Sequence, residues 1–147
     1  MEKQHKVQCY AAPLEGITGY IYRNAHQHIF QGVDKYFTPF VTPKPKNDIA
    51  PEHNKNIPVV PQILTNKAAD FIKVAGMMEE LGYKEVNLNL GCPSGTVVSK
   101  KKGSGFLADL EGMKYFFDEV FSQVNIEVSV KTRLGVENPD EVIDLMN

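Results

Sequence analysis

The sequence predicts an α/β protein: part of a parallel (β/α)8 barrel, truncated to about five of the eight βα units. Three observations carry this. Five short apolar runs alternate with amphipathic stretches at roughly 25-residue spacing, the pattern of parallel strands joined by crossover helices. The turn after the first run reads Ala-Pro-Leu-Glu-Gly-Ile-Thr-Gly and lacks the GxGxxG or GxxxxGKS/T spacing with which a doubly wound sheet cradles phosphate. Polar or reactive residues recur at the C-terminal end of every run, namely Glu15, Thr38, Gln62, Asn89 with Cys92, and Lys131 with Arg133. Strand ends are where such a barrel assembles its site.

The elements follow in order. Residues 7–12 form the first strand, ended by Pro13, and a helix follows over about 18–31, with Ile21, Ala25 and Ile29 four apart and Gly32 as its stop. Residues 36–41 are the second strand. The polar stretch 42–57, with Pro43, Pro45 and Pro51, is long enough to be a functional loop. Residues 59–64 are the third strand, and Asn66 is the cap of a helix whose apolar face is Phe71, Val74, Ala75, Met78 and Leu81 and which Gly82 closes. The fourth strand covers 85–90. After the Gly-rich segment 91–105, a third helix presents Leu110, Met113, Phe116, Phe117, Val120, Phe121 and Val124 to the core. Residues 127–131 are the fifth strand. Asn138 then caps a fourth helix, with Pro139 at its first position and Asp140 and Glu141 at the positive end of its dipole.

Composition narrows the class. A chain of 147 residues is one domain, able to bury about two thirds of its unfolded surface. With 42% hydrophobic and 23% charged residues and a net charge of −2, it is neither disordered, collagenous nor coiled coil. Cys9 and Cys92 have no CxxC or histidine pairing around them, so no disulfide scaffold and no metal site is expected, and a reducing, cytoplasmic setting fits. No window approaches the ~18 apolar residues of a membrane span, so the reading is a soluble protein without a membrane partner.

The segment Asn87-Leu-Asn-Leu-Gly-Cys-Pro-Ser-Gly is the most informative. Strand alternation points Asn87 and Asn89 one way and Leu88 and Leu90 the other, toward a barrel interior where an amide must find partners, at minimum by tying down nearby loops. Cys92 follows on a stiff Gly-Cys-Pro turn, whereas Cys9, mid-strand, reads as a small buried hydrophobe. A thiol at neutral pH is mostly protonated, so Cys92 is a proton donor to a carbanion-like atom or, beside a cation, a nucleophile. No histidine sits at a strand end to serve as its base, which favours the donor. Lys131 and Arg133 lie two apart on one face, either as an ion pair with Glu15 or as a cation for charge on a cofactor ring beside a planar fork for a carbonyl or phosphate. Gln62 both donates and accepts, which suits the imide edge of a flavin or a base. Lys100, Lys101 and Lys102 form a basic run that is either a solvated loop or a phosphate contact.

Taken together, APLEGITGYIYR, DKYFTPFVTP, PQIL, NLNLGCPSGTVVSKKKGSGFL and VKTRLG resemble the tRNA-dihydrouridine synthase family, in order across nearly the whole chain. The resemblance implies an FMN-dependent (β/α)8 barrel that reduces a uridine in tRNA, with NADPH as reductant. It implies that hydride passes from flavin N5 to uracil C6 while Cys92 protonates C5. It further implies that Pro13 and Leu14 line the flavin, that Gln62 and Lys131 bond to its ring, and that Asn89 and Arg133 hold an extruded uracil, while the basic run, which shares a loop with Cys92, offers Lys100 and Lys101 for the phosphates of that substrate. On this reading, residues 1–147 are the N-terminal portion of the catalytic barrel. The remaining strands and a C-terminal helical domain are absent, and the chain alone is expected to retain FMN weakly or not at all. The rival readings are another FMN barrel of the dihydroorotate dehydrogenase type and a half-barrel without catalysis.

Overall fold

The computed structural model describes residues 7–41 and 47–146. Its strands are all parallel: β1 (Tyr10–Ala11), β2 (Lys35–Phe37), β3 (Val59–Val60), β4 (Gln62–Ile63), β5 (Glu85–Leu90) and β6 (Glu127–Thr132). Two three-stranded sheets result, in the orders β1-β2-β3 and β4-β5-β6. Residues 59–63 link them. The first half of that extended segment pairs with β2, and past Pro61 the second half pairs with β5 and, through a bridge from Ile63, with Val41. Spatial order therefore follows chain order throughout. A doubly wound sheet reverses direction beside its first strand, and no such reversal occurs among the described residues.

The crossover helices are α1 (Tyr20–Phe30), α2 (Ala68–Glu80) and α4 (Leu110–Gln123), with short α3 (Gly95–Val98) and α5 (Val142–Met146) besides. Between the sheet and the helices α2 and α4 lies the core. Val86, Leu88 and Leu90 on one face of β5 meet Phe71, Val74 and Met78 of α2 and Met113, Phe116 and Val120 of α4. Phe71 and Phe116 meet edge to face, with ring centroids 5.7 Å apart. Burial of each such side chain contributes about 1.5–3 kcal/mol. Gly82, at φ 90°, ends α2 as its position predicts, and its neighbour Tyr83 donates back to the Met78 carbonyl at 3.0 Å. Asn138 caps the last helical segment in a full capping box, with the Glu141 carboxylate accepting from the Asn138 N–H at 2.8 Å.

Several expectations fail for identifiable reasons. The stripe Ile21, Ala25, Ile29 does not face the core: Ile21 and Ile29 are 71% and 68% exposed, and the buried residue of α1 is Arg23. Arg23 turns that face inward because its guanidinium binds Asp48, Asn54 and the Thr18 carbonyl. The helix ends on Gln31, at φ 37°, one residue before Gly32. Asn66 does not cap α2; its amide donates to the Lys100 carbonyl, and the helix starts after Lys67. Leu81, Leu110 and Phe121 are exposed, at the ends or on the outer flank of their helices. Cys9 is exposed, because β1 is two residues long and pairs on one side only. The first part of the 42–57 stretch lies outside the described residues, and the remainder forms two 3-10 turns, Asn47–Ile49 and Pro51–His53.

Candidate active site

At the C-terminal ends of β1, β5 and β6 a cavity of about 660 Å³ opens between Pro13 and Leu14 on one side and Asn89, Cys92, Lys131 and Arg133 on the other. The strands place these groups by register. Asn89 pairs with Lys131, so both leave the sheet on the same face, and Arg133 follows two residues on. Arg133 is anchored by its Nε, which donates to the Gly91 carbonyl at 2.9 Å.

Cys92 is half-buried in a loop held at both of its backbone groups. Its N–H donates to Asn89 Oδ1 at 2.9 Å, and its carbonyl accepts from the backbone N–H and the hydroxyl of Ser104, each at 3.0 Å. Gly103 makes this possible. It sits at φ 56°, and a Cβ there would stand 2.7 Å from the Cys92 carbonyl oxygen. Only glycine fits. Asn89 Oδ1 also accepts from the Gly91 N–H at 3.1 Å, so one amide oxygen fixes the start of the loop. The bland expectation for this asparagine, loop tethering, is therefore a fact of the structure, and the cavity wall is an additional one.

Of the residues singled out in the sequence, Pro13, Leu14, Glu15, Asn89, Cys92, Lys131 and Arg133 meet around this one cavity. Gln62 stands behind it. It is fully buried, and its amide is engaged at both ends, Nε2 donating to Asn87 Oδ1 at 2.7 Å and Oε1 accepting from Asn89 Nδ2 at 2.8 Å. Lys100 and Lys101 are exposed beyond α3 and do not line the cavity. Phe40 and Thr96 line it without having been anticipated; Thr96 arrives on α3, a turn that the Gly-rich composition of 91–105 concealed. Glu85 was also passed over, although strand period two places it on the face of Asn87 and Asn89. Its carboxylate accepts from Ser129 at 2.7 Å and pairs with Lys35, whose pKa is raised chiefly by that hydrogen bond.

Among the described residues no group of three His, Cys, Asp or Glu side chains converges. The cavity is walled by Pro13, Leu14, Phe40 and Val97, and the Glu15 carboxylate lines it together with the Lys131 and Arg133 cations. Apolar walls with a few convergent polar groups, at this volume, are the usual makings of a small-molecule site. No helix among the described residues is long and apolar enough to cross a membrane.

Residues 11–147 match the family model described as dihydrouridine synthase (Dus). Among curated proteins, the chain is 30% identical over 95 residues to a tRNA-dihydrouridine(20/20a) synthase of Vibrio parahaemolyticus, covering 65% of this chain and 29% of that protein. It is 32% identical over 95 residues to the enzyme of the same name from Shewanella oneidensis, covering 65% and 28%. A probable tRNA-dihydrouridine synthase 2 of Bacillus subtilis aligns over 139 residues at 30% identity, covering 88% of this chain and 42% of that protein. The chain thus spans less than half the length of these relatives.

Proposed function

The chain belongs to the dihydrouridine synthase family, and from that premise we propose that it is the N-terminal, five-stave portion of an FMN-dependent (β/α)8 barrel that reduces uridine to 5,6-dihydrouridine in tRNA, with NADPH as reductant. The observation that carries this reading is the convergence of Cys92, Asn89, Lys131 and Arg133 on one cavity at the C-terminal strand ends. Chain-order parallel strands support the barrel, because consecutive staves of a barrel are spatial neighbours.

Pro13 and Leu14 offer the apolar wall for the flavin ring, and Lys131 offers a cation for charge that develops on it. Bound FMN would supply the hydride for uracil C6. Cys92 then gives its thiol proton to C5, a role that asks for a protonated sulfur and no base. Arg133, with Nε committed to Gly91, keeps its terminal nitrogens for a uracil carbonyl or a backbone phosphate. Asn89 keeps one N–H beyond its bond to Gln62 for the base. Gln62 contributes from behind by orienting Asn89, rather than through a direct bond to the ring as the family resemblance implies. Lys100 and Lys101 reach solvent on the flank where RNA phosphates would pass.

The test uses the chain alone and the chain joined to the remaining length of the Bacillus subtilis relative. Each is given FMN, NADPH and unmodified tRNA, and dihydrouridine is counted by mass spectrometry. The expected result is product from the joined protein, loss of that product in Cys92→Ala with flavin retained, and weak flavin retention by the chain alone. Dihydrouridine formation that survives Cys92→Ala, or turnover of free dihydroorotate in place of tRNA, would overturn it.

A further inference from the structure

A continuous line of hydrogen bonds runs through the polar face of the sheet, from Lys35 to the Cys92 loop. Lys35 Nζ donates to Glu85 Oε2, and Ser129 Oγ donates to Glu85 Oε1 at 2.7 Å. Asn87 Nδ2 donates to Ser129 Oγ at 2.9 Å, Gln62 Nε2 to Asn87 Oδ1 at 2.7 Å, and Asn89 Nδ2 to Gln62 Oε1 at 2.8 Å. The backbone N–H of Cys92 donates to Asn89 Oδ1 at 2.9 Å. Every link from the Cys92 N–H to Glu85 points the same way, from the cavity mouth down to the carboxylate, which Lys35 meets from the other side.

That direction is dictated at both ends. A carboxylate can only accept, so Ser129 must donate to it and then accept from Asn87, which turns Asn87, Gln62 and Asn89 one after another. A backbone N–H can only donate, so Asn89 must present its oxygen to Gly91 and Cys92. The two constraints agree, and a chain of aligned donors in a buried setting polarises itself cooperatively. Lys35 completes the arrangement by neutralising the carboxylate, which is itself buried.

We propose that Glu85 is a positioning residue: anchored by Lys35, it sets the orientation of the Ser129–Asn87–Gln62–Asn89 chain and through it holds the Cys92 loop in place. The proposal rests on the functional reading above only for the role given to Cys92. Glu85→Gln replaces a pure acceptor with an amide. That amide accepts from Ser129 only by turning its NH2 onto the Lys35 ammonium. If it accepts from Lys35 instead, its NH2 faces Ser129 Oγ, which either accepts from both amides and leaves its own proton without its acceptor, or turns that proton on Asn87 and sends the reversal on to Asn89, whose oxygen two backbone N–H groups already claim. Either way one link breaks. Adding Lys35→Met removes the conflict and lets the new amide offer its oxygen to Ser129.

The experiment is alkylation of the Cys92 thiol by iodoacetamide at fixed pH in a Cys9→Ser background, without flavin or RNA, with circular dichroism to confirm folding. In Glu85→Gln the rate is expected to rise about threefold to tenfold, as a released hydrogen bond loosens the loop, and in the Lys35→Met/Glu85→Gln double variant it is expected to return to within about twofold of the parent. Ser129→Ala, which cuts the chain with little loss of volume, is expected to speed alkylation similarly, whether or not Glu85→Gln folds. An unchanged rate in Ser129→Ala, or a faster rate in Glu85→Gln that the double variant fails to reverse, would overturn the proposal. A thiol that responds as expected while the joined protein of the activity test forms no dihydrouridine would leave this inference standing and remove the functional reading instead.

Discussion

Asn89 and Lys131 are register partners on adjacent parallel strands and stand side by side in the wall of one cavity, yet they are bound into the protein to opposite degrees. Asn89 is buried, with its oxygen accepting from two backbone N–H groups and its nitrogen donating to Gln62. Lys131 is exposed at the rim. The sheet thus places one residue that builds the site beside one free to meet what enters it.

Asn89→Ala and Lys131→Met should therefore separate. Asn89→Ala leaves the Gly91 and Cys92 N–H groups and the Gln62 carbonyl oxygen without their partner, at a cost of about 1–3 kcal/mol in urea unfolding. Lys131→Met should stay within about 0.5 kcal/mol of the parent in the same measurement, because it removes no buried contact. In the joined protein of the activity test, its effect is expected in flavin affinity, read by fluorescence titration. Equal destabilisation by the two substitutions would contradict this division.

Gly103→Ala tests the turn beneath Cys92. At φ 56° an alanine is strained, and its Cβ would stand 2.7 Å from the Cys92 carbonyl oxygen and 3.0 Å from Cys92 Cβ. Both atoms belong to the clamped loop, so something must shift. The expected loss is about 1–3 kcal/mol in chemical denaturation. Gly95→Ala, where an added Cβ meets nothing within 4 Å, is the control and should be close to neutral.

The sequence was most legible where a residue's role depends on strand period and position alone. Asn89, Cys92, Lys131 and Arg133 follow from alternation and from the rule that strand ends build the site, and the structure brings them together. Gln62 was read as a pocket residue because its donor and acceptor fit a ring edge. Nothing local shows that Asn87 and Asn89, 25 and 27 residues away, take both ends of its amide. Glu85 needed only one more step of the same alternation, but its partners Lys35 and Ser129 come from other strands. The α1 stripe failed for a similar reason. Apolar spacing identifies a face but cannot foretell that Arg23, on the opposite one, finds a partly buried carboxylate 25 residues away.

Lys35 gives a pH dependence with a definite sign. Its pKa lies above the ordinary 10.5, first because of the hydrogen bond to Glu85, against which burial works, and then because of the Glu85 charge. A cation with a raised folded pKa contributes stability that is fully present below the unfolded value and is lost as pH rises through the folded one. Tyr36, whose pKa burial raises, works in the same direction, so the comparison must be with a variant. The stability difference between parent and Lys35→Met, measured by urea midpoints, should hold from pH 7 to about pH 10 and shrink above it. Because Lys35 is partly exposed, the difference should be modest and smaller at high salt. A gap that widened above pH 10 would refute the pairing.

The two faces of α1 make the sharpest contrast between pattern and packing. Ile29 belongs to the apolar stripe, but it is 68% exposed, so Ile29→Lys should change stability by no more than about 0.5 kcal/mol. Arg23 is 1% exposed, and its two terminal nitrogens donate to the Thr18 carbonyl, the Asp48 carboxylate and carbonyl, and Asn54 Oδ1. Arg23→Met keeps the helix and most of the volume but leaves the Asp48 charge with only the Tyr20 N–H and takes the guanidinium from the Asn54 oxygen. The expected cost is at least about 2 kcal/mol, below the full penalty of a buried pair because Asp48 remains 21% exposed. If thermal unfolding instead ranks Ile29→Lys as the more damaging change, α1 packs through its hydrophobic stripe as the spacing alone predicts, and the Arg23–Asp48 anchor is not what orients the helix.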